Sequence, residues 1–152
     1  MRARGRLAAA VGLALAFAFA AGCGGGGDPV RATLDRMARA AHDRDARALT
    51  EELNSDFQAA DGSGRAEAEA LIRRYFAAYE ILDVALRDVQ IEHSEGAARA
   101  RFVAKLSGQP RKIGGLEGLF PSSASYRFDV RLTRQGARWK VAWASWNPED
   151  SS

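Results

Sequence analysis

Two periodicities divide this chain. Val30, Leu34, Met37 and Ala41 recur at spacings of four and three and so share one helical face. Asp28-Pro29 supplies the capping carboxylate and first-turn proline that start a helix. The spacing predicts a helix from about 29 to 42, with Arg31, Asp35, Arg39 and Asp43 toward water. Asp45 is placed to cap a second helix carrying Leu49 and Leu53 and ended by Asn54-Ser55-Asp56. A short strand is expected around Phe57, and Asp61-Gly62-Ser63-Gly64 reads as a loop. The heaviest helical stripe follows, in Ala68, Leu71, Ile72, Tyr75, Phe76 and Tyr79. Beyond Glu80 the period becomes alternating. Val84, Leu86, Val89 and Ile91 predict a strand whose parity slips near Arg87-Asp88, the signature of a β-bulge. Ser94-Glu95-Gly96 turns it into a strand with Ala100, Phe102, Ala104 and Leu106 on one face and Arg99, Arg101 and Lys105 on the other. Pro110 to Pro121 is glycine-rich but carries Ile113, Leu116, Leu119 and Phe120, which suits a packed loop. Tyr126, Phe128, Val130 and Leu132 alternate with Arg127, Asp129, Arg131 and Thr133 in a third long strand. Gln135-Gly136 turns it toward Trp139, Val141 and Trp143, a final strand ending near Trp146. Phe76 and Phe102 are expected where the helix and sheet faces meet. Helices followed by hairpin-linked strands make a single α+β domain.

Ahead of that domain, Arg2, Arg4 and Arg6 precede an apolar stretch from Leu7 through Phe19, and Ala20-Ala21-Gly22 puts small residues before Cys23. The stretch is shorter than the ~20 apolar residues of a membrane span. It also runs into Gly24-Gly25-Gly26-Gly27, which cannot continue a stable helix. A basic start, apolar middle and small-residue end is the pattern of a cleaved export signal. With Gly22-Cys23 it resembles a bacterial lipoprotein signal peptide, in which the cysteine thiol takes a diacylglyceryl group and becomes the first residue of the mature protein. One departure is Ala20, where such signals usually have leucine. The resemblance implies a signal peptide over 1–22, lipid on Cys23, a glycine-rich tether over 23–28, a domain over 29–147 and a tail over 148–152. It implies an exported protein of the cell envelope, with the membrane as a partner through the lipid.

Charge and cysteine usage narrow the classes further. The chain carries a formal net charge of +3, from 22 basic and 19 acidic residues. Removing Arg2, Arg4 and Arg6 with the leader makes the two signs equal, so no basic footprint for nucleic acid remains. The rest, about 130 residues, suffices for one core. A lipid on the single cysteine leaves no thiol for a disulfide or a thiolate-rich metal site. Two histidines, His42 and His93, argue against a histidine-rich one. Neither a metal nor a cofactor is expected.

The order of elements resembles the nuclear transport factor 2-like superfamily, also called SnoaL-like or ketosteroid-isomerase-like. The features that carry it are the opening helix, Asp45-Ala46-Arg47-Ala48-Leu49 before Asp56-Phe57, the aromatic helix at Tyr75-Phe76, and the closing Arg138-Trp139-Lys140-Val141. The resemblance implies a cone, in which a curved antiparallel sheet packs on about three N-terminal helices and a pocket opens at the wide end. Candidates to line it are Tyr75, Tyr79, Phe102, Tyr126 and Trp143. Some members of the superfamily are isomerases, dehydratases or cyclases and many only bind, so fold alone does not assign chemistry.

No set of residues here is spaced as a nucleophile, base and oxyanion hole. His42 beside Asp43 suits a favourable cation at a helix C-terminus, and His93 beside a hairpin turn is expected to be solvated. Tyr75, Tyr79 and Asp83 could polarise a carbonyl, but two tyrosines one turn apart also suit a core with hydroxyls at its rim. Arg127, Asp129 and Arg131 read as a solvent face. The expectation is no catalytic residue and a domain that binds an apolar small molecule or a protein partner, with a homodimer left open. The alternative is a small isomerase- or dehydratase-type enzyme.

Overall fold

Asp28 starts the first helix as its position predicts: its Oδ1 accepts from the Val30 N–H at 2.8 Å, and α1 runs Pro29–His42. The computed structural model describes residues 27–112 and 121–149. The signal-peptide segment, Cys23, most of the tether, residues 113–120 of the expected packed loop and the last three residues lie outside the described residues. Asp45 caps α2 (Ala46–Glu51) by accepting from the Ala48 N–H at 2.9 Å. This helix stops sooner than expected, because Leu53–Ala59 is a strand, β1. Asn54-Ser55-Asp56 is therefore extended. The Val141 N–H donates to Glu52 O at 2.9 Å, and this distant pairing outweighs the local turn propensity.

α3 spans Arg65–Ala77, with the Glu67 carboxylate reaching back to the Gly64 N–H at 3.1 Å. Its stripe is narrower than its composition suggests: Phe76 is buried, Leu71 is 49% exposed, and Tyr79 lies beyond the helix. Tyr79 instead opens β2 (Tyr79–Ser94), which is followed by β3 (Ala97–Pro110), β4 (Ser123–Gln135) and β5 (Arg138–Pro148). The last strand passes Trp146, and the Glu149 N–H still donates to Ser125 O at 2.8 Å.

The sheet order is β1-β5-β4-β3-β2. β2 through β5 pair antiparallel, and β1 joins β5 in parallel, so the curved sheet is mixed. The expected bulge is present: the β2–β3 register shifts between Arg87 and Gln90, and Asp88 takes a φ of 53°. A slip that the alternation did not reveal lies in β5, opposite Arg131 and Leu132. It buries both Val141 and Ala144 and turns Trp143 to the outer face, opposite Arg131.

Two apolar clusters fill the interior. In one, Val30 and Leu34 of α1 share a core with Phe57 of β1 and with Ala100, Phe102 and Leu132 on the inner sheet face. In the other, Ala41, Phe76, Tyr79 and Leu82 pack where the helices meet the start of β2. Phe76 and Phe102 are both buried, but in different clusters.

Candidate functional site

The register of three neighbouring strands builds a row of rings. Phe102 on β3 is the partner of Phe128 on β4, which is the partner of Trp146 on β5. Phe102 and Phe128 stack with centroids 5.2 Å apart, and Phe128 and Trp146 lie 6.1 Å apart. Phe102 is 8% exposed and Trp146 36%, so the row leads from the core outward. Fixed in register by the sheet, the three rings form a preorganised apolar surface. Tyr126, opposite Ala104 and Pro148, lies one pair along on the same face.

A second aromatic group sits where α3 meets β2. The rings of Tyr75 and Tyr79 are 5.1 Å apart, their hydroxyl oxygens are 3.4 Å apart, and the Tyr79 hydroxyl donates to Pro121 O at 2.8 Å. Burial, and then the Tyr79 hydroxyl, push the Tyr75 pKa well above the ordinary tyrosine value. Tyr75 is thus a hydrogen-bonding group that keeps its proton at neutral pH. The crevice beside it, lined by Leu106, Gly108 and Pro121, is filled by these residues and has no room for even a water molecule. Ligand pockets run to roughly 300–1,000 Å³.

Of the residues singled out in the sequence, Tyr75 and Tyr79 share that crevice, Phe102 and Tyr126 share the inner sheet face, and Trp143 stands on the outer face. There the Arg131 guanidinium lies 4.6 Å from the Trp143 ring centroid. Phe128 and Trp146 are the additional members of the inner row. Phe128 lies on the alternation already legible in β4, and the signal for Trp146 was its parity with Ala144, hidden by the β5 slip.

Two of the candidate acid–base groups, His42 and Asp83, meet at the surface, and Tyr79 stands apart from them in the core. His42 Nδ1 lies 3.3 Å from Asp83 Oδ1 in a pair exposed at the surface, while Tyr79 is buried. His93, expected to be solvated, lies 2.6 Å from Asp28 Oδ2 and edge-on to Trp139. Partial burial pushes the Asp28 pKa up, but the hydrogen bonds from His93 and the Val30 N–H together bring it below 3.8. The outer row is paired: Arg99 with Asp129, Arg101 with Glu92, Arg127 with Glu149. The Arg99 guanidinium, outweighing burial, holds the Asp129 carboxyl below its usual value. Among the described residues no three histidine, cysteine or acidic side chains group as a metal site.

No protein-family model and no curated protein matches the chain in sequence. Solved structures match its fold. A provisionally assigned scytalone dehydratase from Novosphingobium aromaticivorans superposes with a TM-score of 0.70 at 12% identity, over 80% of this chain and 83% of that one. A provisionally assigned dehydratase of the NTF2-like family from Streptomyces avermitilis gives 0.68 at 14% identity, over 81% and 96%. An NTF2-like protein with a cystatin-like fold from Novosphingobium aromaticivorans gives 0.61 at 22% identity, over 82% of each chain. The described domain has the nuclear transport factor 2-like fold.

Proposed function

We propose that this chain, built on the nuclear transport factor 2-like fold, is a lipid-anchored envelope protein that binds an apolar, ring-bearing small molecule without transforming it. The observation that carries the reading is the row Phe102–Phe128–Trp146, three rings in register across three strands and graded from buried to exposed. Acid–base catalysis needs a group that changes protonation state beside the reacting atom. Neither the row nor the tyrosine crevice contains a carboxylate or an imidazole, and Tyr75 is shifted away from neutral pH. The dehydratase names of two similar structures belong to proteins 12% and 14% identical to this chain, a distance at which fold is shared and chemistry is not transferable. Cys23 as the lipid-bearing residue supports a site held close to a bilayer, since the chain from Cys23 to Asp28 spans at most roughly 20 Å.

Native mass spectrometry of the full chain, purified from membranes in nanodiscs, tests both parts. The expected result is a diacylglyceryl mass on Cys23 and a non-covalent apolar mass that Trp146→Ala loses while keeping its melting temperature. Retention of the same bound mass by Trp146→Ala would remove the inner row as the site. Turnover of ketone or hydroxy-ketone substrates would favour the enzyme instead.

A further inference from the structure

A second concavity lies outside the cone, where the turn between α1 and α2, the last turns of α3 and the residue after β3 come together. It is a wide, open concavity of about 660 Å³ lined by Arg44, Arg47, Arg73 and Arg111, with Phe76 and Ala77 also in its wall. Asp43 and Asp45 are in the wall too, the Asp45 carboxylate accepting from the Ala48 N–H, so the four arginines outnumber the acids of the wall by two. The four guanidiniums are not equally occupied. Arg47 and Arg73 pair with Glu51 and Glu69 of their own helices, in exposed i,i+4 contacts of the kind that hold weakly and exchange for a better anion. Arg44 Nη1 donates to the neutral carbonyl of Tyr79 at 2.9 Å. Among the described residues no carboxylate pairs with Arg44 or Arg111. Their main chains are set by the fold: Arg44 takes a φ of 54° in its turn, and the Arg111 backbone N–H donates to Ala78 O at 2.8 Å, leaving the exposed Arg111 guanidinium to turn toward a ligand.

We propose that this cleft binds a phosphate-type oxyanion, free or esterified, with Arg44 and Arg111 as its principal contacts and Arg47 and Arg73 turning in from their helix pairs. A guanidinium presents a planar fork of N–H donors that matches phosphate oxygens two at a time. One such fork satisfies a lone carboxylate, whereas a multiply charged phosphate or pyrophosphate can take several at once. The apolar wall at Phe76 and Ala77 leaves room for the organic part of an ester. The site is independent of the aromatic row and stands whether or not that row binds anything. It lies at the opposite end of α1 from Asp28, about 20 Å along the helix.

The test is calorimetric titration of the full chain in non-ionic detergent with pyrophosphate, at constant ionic strength. Saturable binding is expected with a Kd below about 1 mM. Arg111→Gln should weaken it at least tenfold while leaving the ligand-free melting temperature unchanged, and Arg44→Gln should weaken it as well. Arg127→Gln, on the distant outer sheet, should leave it intact. Absence of saturable uptake, or equal weakening by Arg111→Gln and Arg127→Gln, would overturn the site in favour of diffuse charge attraction. Competition by phosphatidylglycerol vesicles, but not phosphatidylcholine ones, would support the cleft with a lipid headgroup as the source. Pyrophosphate binding that such vesicles do not displace would support it with a soluble phosphate.

Discussion

A methyl group on Gly108 would sit 2.3 Å from the Ile81 carbonyl oxygen and 3.1 Å from the Tyr79 ring. The register slip between Tyr79 and Ile81 brings that carbonyl close, and the Gly108 N–H is itself committed to Ser122 O at 2.9 Å. Because the nearest atom is backbone it cannot swing aside, so Gly108→Ala is expected to cost about 1–3 kcal/mol and to displace Tyr79. Urea unfolding measures this, and a loss below ~0.5 kcal/mol would mean the two strands separate freely there. Asp28 makes a pH-dependent counterpart. Its carboxyl titrates below its unfolded value of 3.8, so its contribution is complete above that value and is lost as pH falls through the lower folded one. The stability difference between the wild type and Asp28→Ala should therefore be about 1 kcal/mol near neutrality and shrink in acid below about pH 4. A difference that grows on acidification would contradict the ordering of the two pKa values.

Single elements are joined through one buried carboxylate. The Glu52 side chain is 7% exposed and accepts from Arg36 of α1 at 2.8 and 3.0 Å and from Arg138 of β5 at 3.4 Å. That hydrogen bonding, more than burial opposes it, raises the Arg36 pKa. Thr33, beside it on α1, donates to Trp139 O at 3.0 Å. Glu52 thus ties the first helix to the junction at which β1 joins β5, the one parallel pairing in the sheet. Breaking a fully buried pair costs about 3–5 kcal/mol. Arg36 is about a third exposed, so Glu52→Gln is expected to cost nearer 2 kcal/mol. Arg47→Ala, which removes an exposed pair with Glu51, should change stability by less than ~0.5 kcal/mol. Comparable losses in the two variants, measured by thermal unfolding, would show that burial of the Glu52 carboxylate adds nothing.

Across the whole molecule the two apolar clusters divide the labour. Val30, Leu34 and Phe57 close the cone against the inner sheet face, whereas Phe76, Tyr79 and Leu82 seal the region beside the arginine-lined cleft. The aromatic row extends from the first cluster, so a ligand there would be read by a sheet whose register is held by cross-strand pairs along β3, β4 and β5. The proposed anchor acts at this scale too. Cys23→Ser should move the protein from the membrane to the soluble fraction after signal cleavage, without changing the melting temperature of the domain. A cleaved mutant that stays tightly membrane-bound in fractionation would argue that something other than lipid holds it there.

Features written within a few neighbouring residues were legible before any fold was known. The caps at Asp28 and Asp45, the turn at Ser94-Glu95-Gly96 and the bulge at Arg87-Asp88 all depend on local backbone geometry and on an apolar period that the next few side chains reveal. So did the α+β order and its resemblance to a cone. What depended on partners far along the chain was not legible. Asn54-Ser55-Asp56 became strand because β5 offered a parallel edge, and Tyr79 left its helical stripe because β3 paired with it. A slip of one residue in β5 sent Trp143 outward to Arg131 and left Trp146 in the aromatic row. In a strand the side chains alternate at every step, so a single displaced pairing exchanges the buried and exposed faces beyond it. The four arginines of the outer cleft, drawn from a turn, two helices and a strand end, met only when those elements packed.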